Sequence, residues 1–83
     1  YRETMKTDLE MLAQGLADRN IEQARRAAHR ISGAAAVVDD LRTRQVASEL
    51  ERHLSKASGG ITADAHALLA ELQSLHPTDS ATT

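Results

Sequence analysis

The sequence predicts an all-α fold, an up-and-down antiparallel four-helix bundle, on three observations. Its apolar content rests on 15 alanines and 10 leucines, with no Phe or Trp and only six Val and Ile residues together, in 83 residues. Alanine is the best helix former, whereas strands select β-branched and aromatic side chains. Apolar positions recur every three or four residues in four separate stretches, which is the period of a helix face. The connections between the stretches are short and polar, as between antiparallel neighbours in a bundle.

The first helix is expected from about Arg2 to Ala17, with Met5, Leu9, Leu12 and Leu16 forming one stripe and Gly15 weakening its C-terminal end. Asp18, Arg19 and Asn20 make a short connection. Asn20 is a favoured N-cap for the second helix, and Gln23 three residues on gives a capping-box arrangement. The inner stripe of this helix is Ile21, Ala24, Ala28, Ile31, Ala35 and Val38. Asp39-Asp40 breaks the pattern, and either Asp suits as the cap of a third helix from about Leu41 to Ala57. That helix carries Val46, Ala47, Leu50, Leu54 and Ala57 inside, with Thr43 one turn before Val46. Ser58, Gly59 and Gly60 read as a loop. The fourth helix starts near Thr62 as N-cap and carries Ala65, Leu68, Leu69, Leu72 and Leu75, until Pro77 stops it. The expected organisation is one four-helix domain over residues 1–76 and a disordered tail over 77–83.

Composition narrows the function. Without cysteine there is no disulfide framework, thiolate metal site or thiol nucleophile. The longest apolar run is Ala34 to Val38, too short to span a membrane, and no signal peptide is visible. A formal charge of −2 and a single aromatic residue argue against nucleic-acid binding. The four histidines, His29, His53, His66 and His76, are ten or more residues apart, so no metal site is expected. No phosphate-cradling glycine loop or serine elbow is present, which leaves little for a self-contained enzyme.

His29 stands apart from the others. Ala28 and Ile31 are core positions, and a residue one step past a core position points about 100° away, so His29 lies at or beyond the edge of the stripe. Arg26, Gly33 and Ala36, at three, four and seven residues, share its face. A mid-helix glycine costs about 1 kcal/mol relative to alanine. Gly33 offsets that by clearing access to the imidazole, and Arg25, Arg26 and Arg30 lie close by in sequence. A neutral imidazole nitrogen on a rigid helix is a competent nucleophile towards phosphorus, and arginines stabilise an anionic product. The plainer reading is an ordinary surface histidine on a solvated, arginine-rich face. His53 and His66 read as surface or edge residues, and His76 as a helix-end residue.

The segment Ala28-His29-Arg30-Ile31-Ser32-Gly33-Ala34-Ala35-Ala36-Val37-Val38 resembles the signature of histidine-containing phosphotransfer (HPt) domains. Val46-Ala47-Ser48-Glu49-Leu50-Glu51 resembles the family's third-helix pattern, and the likeness extends over roughly residues 5 to 75. The resemblance implies a four-helix bundle with His29 as phosphoacceptor and Gly33 as the glycine that gives it room. His29 then takes a phosphoryl group from a response-regulator receiver aspartate and passes it to another receiver. The docking face is Arg26, Arg30, Ser32, Gly33 and Ala36. The domain itself holds no cofactor or metal; Mg²⁺ is expected on the partner receiver. The sequence departs from the family at Ser32, where Lys is usual, at Asp39, where Gly is usual, and at Thr43, where Leu is usual. The candidates to stand in for the missing lysine are Arg26, Arg30 and the Ser32 hydroxyl.

The resemblance further implies a cytoplasmic phosphocarrier, monomeric as an isolated domain, with no nucleic acid or direct membrane contact. The start at Tyr1 and the polar tail suggest the C-terminal module of a hybrid sensor histidine kinase, with the cytoplasmic part of an inner-membrane sensor as one setting. The competing expectation is a helical interaction or adaptor module, a degenerate HPt domain without phosphotransfer.

Overall fold

The computed structural model describes residues 1–56 and 63–77. Four helices carry the fold: α1 (Arg2–Ala17), α2 (Ile21–Val37), α3 (Leu41–Ser55) and α4 (Ala63–Leu75). The expected 58–60 loop, the Thr62 cap, Ala57 and the tail from residue 78 fall outside the described residues. Each helix packs on its neighbours in sequence, and α4 returns to α1. α1 and α2 pair antiparallel: Asp8 meets Arg30, and Gly15 meets Ala24, so one index rises as the other falls. The same holds for His29 with Glu51 and Ser32 with Ser48 between α2 and α3.

The expected stripes form the core. Met5, Leu9, Leu12 and Leu16 of α1 face Ala24, Ala28 and Ile31 of α2, with Val46, Ala47, Leu50 and Leu54 of α3 and Ala65 and Leu72 of α4. Several details differ from expectation. Ala27 joins the core, because a row of alanines widens the face that α2 presents. Val38 does not join it. α2 ends at Val37, Val38 is its C-cap, and this residue is 47% exposed. Leu75 is likewise exposed at the end of α4, while Leu68 and Leu69 are only partly buried.

The two short turns share one construction. After α1, Arg19 takes a left-handed conformation (φ 56°) and the Asn20 N–H bonds back to the Gly15 carbonyl at 2.7 Å. After α2, Asp39 does the same (φ 57°) and the Asp40 N–H reaches the Ala35 carbonyl at 2.9 Å. These bonds satisfy the orphan carbonyls at the helix ends. The next residue then caps the following helix: Asn20 accepts from the Gln23 N–H and Asp40 from the Thr43 N–H. Of the two aspartates, Asp40 is thus the cap, and Asp39 fills the left-handed position that favours glycine. The capping box is half formed, since the Gln23 side chain crosses to the Met11 carbonyl of α1.

Asp40 also closes the far end of the bundle. Its Oδ2 accepts from the Tyr1 hydroxyl at 3.1 Å and the Thr43 hydroxyl at 2.8 Å, and Thr43 lies 2.7 Å from His76 Nε2. The Thr43 hydroxyl bond holds the Asp40 carboxyl below its ordinary range. An ionised carboxylate only accepts, so Thr43 donates to Asp40 and accepts from a protonated His76 Nε2. Burial first, and then the bond to Asp40, push the Tyr1 phenol up to about 12. The only tyrosine, in a chain without Trp, gives a clean near-ultraviolet titration. Its folded value lies above the ordinary value of about 10, so this contribution to stability is intact below pH ~10 and is lost as pH rises through ~12. A titration midpoint at the ordinary value means Tyr1 is not docked on Asp40.

Candidate functional site

α2 buries Ala24, Ala27, Ala28, Ile31 and Ala35 and turns His29 to solvent, with 74% of the imidazole side chain exposed. Its Nδ1 lies 3.0 Å from Glu51 Oε2 on α3. The carboxylate is an acceptor, so Nδ1 carries the proton, and in the neutral ring the lone pair is on Nε2. One turn on, Gly33 has open space where a side chain would begin: beyond its chain neighbours and the backbone of its own helix, no atom lies within 4 Å of a Cβ built there. Ala36 continues the same exposed face. Beyond it Val37, Val38 and Leu41 are exposed at the α2–α3 corner, Val37 at 85%.

The cations are less free than their sequence positions suggest. Arg25 is bonded to Glu22 at 2.8 Å, and Arg26 lies 3.7 Å from the same carboxylate. The Arg25 bond holds Glu22 below its ordinary pKa. Arg30 turns away towards α1, where its Nε is 3.4 Å from Asp8 Oδ1. Ser32 turns the other way, and its hydroxyl meets Ser48 on α3 at 2.9 Å. The structure therefore places Arg26, His29, Gly33 and Ala36 on one face, with Arg30 on the α1 flank and Ser32 on the α3 flank.

Sequence reading missed Glu51 and Asp8. Glu51 is 22 residues from His29, and only the antiparallel register of α2 and α3 brings them together. Asp8 had a visible signal, being three residues after Met5 and four before Leu12 on the core stripe. Chemically, the site is a nucleophile with a fixed proton and an unobstructed lone pair. No metal-binding cluster of His, Asp or Glu occurs among the described residues, and His53 and His66 take no part. Near His76, the bond direction leaves Thr43 donating to Asp40, so it is not a nucleophile activated by the histidine. No described helix is long and apolar enough to cross a membrane.

The family model described as Hpt domain matches residues 1–77. No curated protein and no solved structure matches the chain. Hpt domains are phosphocarriers of phosphorelays and interact with response-regulator receivers, without being catalysts themselves. With the match spanning all four helices, the chain belongs to the Hpt family of phosphotransfer domains.

Proposed function

We propose that this domain carries a phosphoryl group on His29 Nε2, taken from the aspartyl phosphate of one receiver and passed to the aspartate of another. The observation that carries the reading is the Nδ1 bond to Glu51 together with the open space at Gly33. The Nε2 lone pair attacks phosphorus, the N–P bond forms as the P–O bond to the receiver aspartate breaks, and the electron pair leaves on that carboxylate. No proton has to move. The ring gains positive charge, which the Glu51 carboxylate offsets from 3.0 Å away. The receiver supplies Mg²⁺ and the acidic pocket; this domain supplies a positioned nucleophile and a docking face of Arg26, Gly33 and Ala36, flanked by Arg30 and Ser32.

The test is phosphotransfer from a labelled receiver to the wild type, His29→Gln and Glu51→Ala. Label that is acid-labile and base-stable is expected on the wild type and absent from His29→Gln. Glu51→Ala is expected to slow transfer by about tenfold, the worth of one charge-assisted hydrogen bond. No label on a folded wild type across a panel of receivers would point instead to a degenerate domain acting as an adaptor. The observation that favours this second reading is Ser32 in the lysine position, its hydroxyl engaged by Ser48.

A further inference from the structure

Among the described residues, the large apolar ones left exposed are Tyr1, Val37, Val38, Leu41 and Leu75. All of them lie at one end of the bundle, around the Asp40 turn. Tyr1 bonds Asp40 and meets His76, the neighbour of Leu75, edge to face, and the other three flank the turn itself. Apolar residues scattered singly over a surface need no explanation, but a cluster at one end marks a contact surface. Val37 is the last residue of α2 and Leu41 the first of α3, 85% and 67% exposed. They stand on a fixed turn, because Asp39 is left-handed and Asp40 caps α3. Ordering them in a contact therefore costs little.

The ridge that Val37 extends indicates what covers it. His29, Gly33 and Val37 stand at i, i+4 and i+8 of α2, and residues so spaced form one ridge on a helix surface. His29 and Val37 are about 12 Å apart along the helix, at 1.5 Å per residue. Between them lies the open space at Gly33, with exposed Ala36 beside it. A body that fills this notch to reach the imidazole also lies against Val37, and Leu41 comes next beyond the turn. A second copy of this chain fits less well. Three side chains fall far short of the about 800 Å² per partner of a stable interface, and make sense as one part of a larger face.

We propose that Val37 and Leu41 are the apolar anchor of the receiver-docking face: the receiver that exchanges a phosphoryl group with His29 lays an apolar patch of its own on them. The inference rests on the phosphocarrier reading. The anchor touches none of the charge that is transferred, so it holds the receiver equally before and after transfer, as a carrier that both takes and gives requires. Such uniform binding acts on KM and leaves kcat alone.

The experiment measures transfer to His29 against the concentration of a phosphorylated receiver, and the affinity of the same receiver without phosphate. The proteins are wild type, Val37→Gln, Leu41→Gln, the double variant and Val37→Leu. Glutamine removes the apolar surface without adding charge, and both positions are exposed, so the melting curve is expected to stay that of the wild type. Each single glutamine variant is expected to raise KM about threefold and the double variant about tenfold, with Kd rising in step. The maximal rate is expected to hold, Val37→Leu to bind as the wild type does, and the KM effect to persist at high salt, where a charge contact would be screened. Wild-type KM and Kd in the double variant overturn the proposal. So does a wild-type dimer that the double variant dissociates while receiver affinity stays the same, since the patch is then covered by a second copy. A folded wild type that binds a receiver but takes no phosphoryl group defeats the carrier reading alone, and the Kd series still decides the anchor. A wild type that binds no receiver overturns both.

Discussion

Replacing Gly15 with alanine is expected to destabilise the domain by about 2 kcal/mol, although the same change in an isolated helix stabilises it by about 1 kcal/mol. The contact decides the sign. A Cβ at position 15 would lie 2.8 Å from the Ala24 nitrogen, 3.1 Å from its Cα and 3.2 Å from its Cβ. Two of those atoms are backbone and cannot rotate aside, so α1 and α2 must move apart. That motion also pulls on the turn, because the Gly15 carbonyl accepts the Asn20 N–H. A small domain has only a few kcal/mol to lose. Urea unfolding followed by circular dichroism reads the change as a lower midpoint. A midpoint equal to or above the wild type would mean that the helices do not cross at Gly15.

That glycine shows where sequence reasoning stops. Within one helix it registers only as a weak helix former, and its purpose appears when Ala24 of the next helix is laid against it. The four helices themselves were legible, because the three-four spacing of Leu and Ala is a local property and the caps at Asn20 and Asp40 are local hydrogen bonds. Val38 was misplaced because a stripe extrapolated along a helix does not announce where the helix ends. The acceptor candidate His29 was also visible locally, through its offset from Ala28 and Ile31. Glu51 was not, since it meets His29 only through the register of α3, and Asp8 showed only as a charge on the core stripe, its partner set by the register of α2. The likeness between His29 to Val38 and the family signature pointed to the family, and gave no residue to set the proton on Nδ1.

Gly33 is expected to behave as the opposite of Gly15. Gly33→Leu should raise stability by about 0.5–1 kcal/mol, because leucine is the better helix former and nothing lies within 4 Å of the added Cβ. The same variant should cut transfer from a receiver to His29 by about 100-fold. A leucine one turn from the imidazole stands where the receiver must approach, and in-line attack on phosphorus tolerates little displacement of the nucleophile. Phosphorylation by phosphoramidate, a reagent of few atoms, should change by no more than about twofold, since Nε2 keeps its lone pair and its bond to Glu51. Comparing the two donors on one variant separates access from reactivity. If both fall together, Gly33 serves the chemistry of His29 and not the approach to it. If neither falls, the receiver does not approach His29 across Gly33.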